Sequence, residues 1–161
     1  MKQQYQLPLL VKLSTTLLLV PPLSSCDAVF GKEIARLPIN AISTQGHEVV
    51  REVSVQLKKD ENIAVWSDMD MAYEGEAPVQ FQVEMLKDGK AFNQLAIDPT
   101  DKNITIGEVK TSINGKTNWR FSGKNAAFTV PENATYLFRA RLVAADNPSL
   151  KIEKAELVLK K

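Results

Sequence analysis

The sequence predicts an all-β protein, a single antiparallel β-sandwich. Three observations predict it. From Val49 onward, apolar and polar residues alternate with period two and not with the helical 3.6. Turn signals recur every eight to twelve residues, including the hairpin dipeptides Asp88-Gly89 and Asn114-Gly115. No amphipathic helical pattern of ten or more residues follows Cys26. Apolar and charged residues make up 44% and 24% of the 161-residue chain, a globular composition. About 135 residues follow Cys26, which suits one domain.

Residues 34–42 form a first strand or a packed N-terminal arm. Val49, Val53, Val55 and Leu57 share a strand face, with Glu52, Ser54 and Gln56 opposite. Ile63, Val65, Met69 and Met71 alternate with Trp66, Asp68 and Asp70. The run Val79 to Met85 alternates strictly, and Asp88-Gly89 turns it into a partner strand from Ala91 to Ile97, stopped by Asp98-Pro99. Ile104 to Ser112 is rich in β-branched residues and leads into the Asn114-Gly115 turn. Trp119 and Phe121 then share a face of Thr117–Phe121. Gly123-Lys124-Asn125 reads as a turn before a short strand from Phe128 to Val130. Tyr136, Phe138, Ala140 and Leu142 line one face of the next strand, which puts Arg139 and Arg141 on the other. In the last strand, Leu150 to Leu159, the apolar phase slips between Ile152 and Ala155, as a β-bulge would make it do. Half-buried alternation favours antiparallel sheets. Immunoglobulin-like and jelly-roll topologies both fit, although the Cys–Trp–Cys spacing of immunoglobulin domains is absent.

The first 25 residues read as a targeting segment. Lys2 and Lys12 precede an apolar, leucine-rich run from Leu13 to Leu23, too short for a membrane span and interrupted by Pro21 and Pro22. Leu23-Ser24-Ser25-Cys26 follows, an aliphatic residue and two small ones before the sole cysteine. This segment resembles the lipobox of bacterial lipoproteins. The resemblance covers residues 1–26 only. It implies cleavage before Cys26, a diacylglycerol thioether on its sulfur and acylation of the new amine. No other cofactor is implied. Two or three acyl chains hold durably at a bilayer, where one holds marginally. The resulting domain organisation is a signal peptide over 1–25, a lipidated cysteine and short arm over 26–46, and the sandwich over 47–161. In enterobacterial lipoproteins an aspartate at the position of Asp27 resembles an inner-membrane retention signal. The reading favoured here is a periplasm-facing lipoprotein of a Gram-negative outer membrane, with the inner membrane as the alternative.

Charge and composition exclude several function classes. Loss of residues 1–25 leaves eighteen basic and nineteen acidic residues, a net charge of −1. That balance gives no nucleic-acid footprint and argues against a polybasic membrane patch. One cysteine forbids an intramolecular disulfide, and one histidine, His47, excludes a zinc site built from cysteine and histidine. There is no G-x-S-x-G, no H-E-x-x-H and no glycine-rich phosphate loop, so the chain reads as non-catalytic. His47 is a surface-loop residue. Two matches to the glycosylation sequon, at Asn103 and Asn133, are chance matches in a bacterial lipoprotein.

The unusual stretch runs from Trp66 to Glu76. Its carboxylates Asp68, Asp70, Glu74 and Glu76 suit a hard cation such as Ca²⁺, yet the spacing lacks the EF-hand pattern. A solvated strand face followed by an acidic turn explains them more simply. Asp68 and Asp70, about 7 Å apart on one strand face, do not identify a glycosidase pair. Arg139 and Arg141 form a matching basic pair. With Trp66, Asp68 and Asp70 they make a candidate interaction patch, since arginine and tryptophan are favoured at interface hot spots. The expected role is a lipid-tethered module that binds an envelope protein. Trp66 or Trp119 as a sugar-stacking platform is the alternative, and a secretion-system accessory lipoprotein is a further one, by analogy of fold alone.

Overall fold

The computed structural model describes residues 30–161; Cys26, Asp27 and the targeting segment lie outside the described residues. Nine strands follow in order: β1 (Glu33–Pro38), β2 (Arg51–Leu57), β3 (Asn62–Glu74), β4 (Val79–Lys87), β5 (Lys90–Ile97), β6 (Ile104–Ile113), β7 (Lys116–Thr129), β8 (Ala134–Ala144) and β9 (Lys151–Lys160). They form two antiparallel sheets packed face to face. One has the order β1-β9-β3-β7-β6 and the other β2-β8-β4-β5. All-β architecture and the sandwich are as the alternation requires. The order also separates the two topologies. In an immunoglobulin domain the first two strands pair, whereas β1 and β2 lie in different sheets and β1 pairs with β9. Orders 1-9-3-7 and 2-8-4-5 are those of an eight-strand jelly roll, with β6 added at one edge.

The core lies between the sheets and is built from the predicted faces. Ile63, Val65, Met69 and Met71 of β3 meet Phe81, Val83 and Met85 of β4, and Tyr136, Phe138 and Leu142 of β8. Each such side chain contributes about 1.5–3 kcal/mol on leaving water. Both hairpin dipeptides adopt the left-handed pair that a type I′ turn needs, with φ of 48° and 78° at Asp88-Gly89 and 51° and 83° at Asn114-Gly115. The phase slip in β9 is a bulge: Asp70 pairs with Lys154 and Met71 with Ile152, leaving Glu153 without a partner.

Two expectations need correction. Residues 26–46 are not all arm, because β1 is an edge strand of the five-stranded sheet and Leu37 and Ile39 are buried. The sandwich therefore begins before residue 47. Gly123-Lys124-Asn125 does not turn the chain either, since β7 runs unbroken through it. Val65 pairs with Ala126 and Trp66 with Lys124, so Asn125 is an extra residue bulged from the strand. Its side-chain amide donates to the carbonyls of Asp98, Pro99 and Asp101 at 3.1, 3.3 and 2.8 Å. The turn-forming composition marks a bulge held by a distant loop.

Candidate functional site

The candidate patch is divided between the two sheets. Arg139 and Arg141 stand on the outer face of β8, and Asp68 and Asp70 on the outer face of β3. The sandwich core separates them, so the arginines cannot pair across strands with these aspartates. Each group finds other partners. Arg139 donates to Glu52 at 3.3 Å and Glu84 at 3.2 Å, in a row running from β2 through β8 to β4. Arg141 donates to Gln82 at 2.9 Å and to Glu48. Asp68 accepts from Arg36 at 3.3 Å and Lys154 at 2.5 Å. Asp70 lies in register between Lys154 and Arg120.

Arg36 is the hub of the five-stranded sheet's outer face, binding Glu33, Asp68 and Glu156. Hydrogen bonding to Glu33 raises the pKa of Arg36, and the same bond holds the Glu33 carboxyl below its ordinary 4.5.

Trp66 is buried, and the partly exposed Trp119 ring is flanked by lysines. Trp66 is 1% exposed, a correction to its place in an interaction or sugar-binding patch. Phe30 meets it edge-on at 6.2 Å and the Lys160 ammonium lies 4.4 Å from its ring. Its indole N–H has no hydrogen-bond partner among the described residues. Trp119 is half-buried against Phe121, with the ammonium groups of Lys110 and Lys102 at 3.9 and 5.0 Å from its ring. Its N–H donates to Glu108 at 2.8 Å, which, with Lys102, lowers the Glu108 pKa.

The acidic stretch is not gathered around an ion. Among the described residues, no three His, Cys, Asp or Glu side chains converge as metal ligands would. Asp68 is engaged by cations, while Glu74 and Glu76 lie at the far end of β3 and in the following turn, where Asn147 binds their backbone carbonyls at 3.0 and 2.9 Å. His47 is exposed in a tight loop closed by reciprocal backbone bonds with Thr44.

Two surfaces remain. The first is a depression of about 630 Å³ on the outer face of the four-stranded sheet. Gln80, Gln82 and Glu84 of β4, Gln94 of β5 and the two arginines form its floor. The ion pairs hold the guanidinium groups in place, although exposed pairs contribute only about 0–1 kcal/mol each. The second surface is β6, which sequence reasoning missed. It is an edge of the five-stranded sheet. Ile104, Ile106 and Val109 pair with Lys124, Ser122 and Arg120, so all three share the sheet's outer face, and Ile113 beside Lys116 ends the row. An irregularity between Ile106 and Val109 keeps the two halves in phase. Ile104, Val109 and Ile113 are 43%, 52% and 66% exposed. They are three of the four exposed large apolar side chains among the described residues. Apolar alternation, slipped once between Ile106 and Val109, is what a bulged core strand also shows, so the sequence carries no signal that separates the two.

The chain matches no protein-family model, and no curated protein matches its sequence at a significant level.

Proposed function

We propose that this chain is a lipid-anchored, non-catalytic envelope protein, tethered through Cys26 and facing the periplasm, that binds another envelope protein. The observation that carries the binding role is the β6 edge. An edge strand presents unpaired N–H and C=O groups and normally blunts them with charges, proline or a cover. β6 is blunted in its middle by the irregularity between Ile106 and Val109 and by Glu108 and Lys110, but from Val109 to Ile113 it pairs regularly and exposes an apolar row, which fits addition of a partner's extended segment there. Backbone hydrogen bonds would supply affinity, and side-chain pockets specificity. The anchor rests on the resemblance of Leu23-Ser24-Ser25-Cys26 to a lipobox. Trp66 is buried and the ammonium groups of Lys110 and Lys102 stand over the half-buried Trp119 ring, so no observation favours the carbohydrate reading.

The test is photo-crosslinking in native cells from a reactive residue placed at Ile113 and, separately, at Lys151 as a control. A discrete adduct from Ile113 alone supports the reading, and its loss with Val109→Lys supports the β6 edge. No adduct from Ile113, or an adduct unaffected by Val109→Lys but lost with Arg139→Glu/Arg141→Glu, removes β6 from the account.

A further inference from the structure

We infer that the end of the sandwich where the chain enters docks on an anionic phospholipid surface, through lysines that are scattered in sequence and gathered by the fold. This inference rests on the tether proposed above. Three residues separate Cys26 from Phe30, so a lipid on Cys26 lies within about 14 Å of the domain. The far end lies most of a strand's length away, so this end is the one nearer the bilayer.

Backbone bonds define which segments share this end. Lys32 and Lys161 exchange both N–H···O bonds. The β2–β3 turn is bound to the β7–β8 connection through Asp60 N–H to Val130 O, Val130 N–H to Glu61 O and Lys59 N–H to the Asn133 side chain. The β4–β5 turn joins them through Asp88 N–H to Thr135 O. These segments bring together seven lysines, from positions 32, 58, 59, 87, 90, 160 and 161, against five carboxylates, those of Glu33, Asp60, Glu61, Asp88 and Glu132, of which Glu33 is bound to Arg36. Lys87 is paired with Glu132 and Lys161 with Glu61. Lys32, Lys58, Lys59 and Lys90 are exposed and have no carboxylate within ion-pair distance among the described residues. The charge balance of the whole chain hides this end, because carboxylates outnumber cations over the rest of the domain. Each lysine brought to an anionic membrane strengthens contact about fivefold.

Every strand lies within residues 33–160, so the leader-free chain keeps the whole sandwich. Its lone thiol, Cys26, can be coupled to a maleimide lipid, which supplies the tether whatever the cell attaches there. The tethered protein is placed on vesicles of phosphatidylcholine alone or with one third phosphatidylglycerol. Lysines are then labelled with an amine-reactive reagent and read by mass spectrometry. The inference expects Lys32, Lys58, Lys59 and Lys90 to label about tenfold more slowly on the anionic vesicles, with Lys116 and Lys151 at the far end unchanged. It expects that protection to vanish in ~0.5 M salt, where the screening length is about 4 Å. Lys58→Glu/Lys59→Glu/Lys90→Glu should abolish the protection of Lys32. Equal labelling on both vesicles, or protection at both ends alike, overturns the inference. A bare Cys26 in native cells would instead overturn the tether itself.

Discussion

Replacing Gly123 with alanine tests how the β6 edge is held. A Cβ at this position would lie 2.6 Å from Lys102 Cδ and 2.9 Å from Lys102 Cβ. The first overlap could be relieved by a side-chain rotation, but the second is close to the backbone and moves the 98–103 connection. Lys102 crosses β7 here and carries its ammonium to within 5.0 Å of the Trp119 ring, 4.7 Å of the Phe121 ring and 3.1 Å of Glu108. Its side chain is only 10% exposed. A desolvated cation–π contact contributes about 2 kcal/mol, and overpacking costs about 1–3 kcal/mol. One displacement relieves the overlap and breaks the contacts, so the two figures do not add. We expect a loss of ~2–3 kcal/mol. At roughly 3–5 °C per kcal/mol for a domain of this size, the thermal midpoint should fall by about 6–15 °C. The assay is thermal unfolding by circular dichroism for Gly123→Ala, Lys102→Ala and the double variant. Alanine at 102 keeps its Cβ and with it the 2.9 Å overlap, but the Lys102 contacts can be lost only once, so the double variant's loss should be at least ~1 kcal/mol smaller than the two single losses combined. A midpoint for Gly123→Ala within 1 °C of the parent, or strict additivity, would refute the clamp.

Two other outcomes follow from the ion pairs. Glu33, Glu61 and Glu108 are each held below the ordinary 4.5, by hydrogen bonds from Arg36, from the Lys58 backbone and from Trp119 respectively. The unfolded chain therefore takes up protons near pH 4.5, while the folded chain takes them up only at lower pH. Stability should be flat above about pH 6 and decline as pH falls from about 5 to 3; a midpoint that rises on acidification would contradict this. Arg36→Met leaves Glu33, Asp68 and Glu156 without their shared guanidinium, and the latter two side chains are only 21% and 13% exposed. It should cost ~1–2 kcal/mol at low salt, after allowance for screening, whereas Arg139→Met, whose partners Glu52 and Glu84 are more open, should cost under ~1 kcal/mol. Urea unfolding of both variants separates them, and equal losses would remove Arg36 from its central place.

Features set by neighbouring residues were legible in the sequence. Asp88-Gly89 and Asn114-Gly115 make tight hairpins because two consecutive positive φ angles are a local demand that few dipeptides meet. The β9 bulge was legible because Ile152 and Ala155 can face one core only if a residue between them is left out. Features set by distant residues were not. Asn125 looks like a turn until the Asp98–Asp101 carbonyls arrive to bind it. Trp66 does alternate with the core, yet it is covered by Phe30 and Lys160 from the two ends of the described chain. Alternation put Asp68, Asp70, Arg139 and Arg141 on outer faces correctly, but it could not say that those faces belong to opposite sheets. That depends on strand order, which the long-range pairings of β3 and β8 decide.

The two proposals constrain each other through the direction of β3 and β6. The thirteen residues of β3 span about 40 Å at strand rise, from the lysine-rich end to the far turn at Glu74. Pairing places Ile104 level with Lys124 and Trp66, about a third of the way up, and Ile113 level with Lys116 and Glu74 at the top. With the lysine end on the bilayer, the apolar row of β6 therefore stands upright, beginning above the headgroups and ending furthest from them. A segment that adds to β6 must stand upright too. That excludes a partner strand lying flat on the membrane and favours one rising from it. It also separates the roles of charge and apolar surface. Salt or lysine reversal would tilt the domain and weaken a β6 contact indirectly, whereas Val109→Lys would remove that contact and leave the lysine end protected.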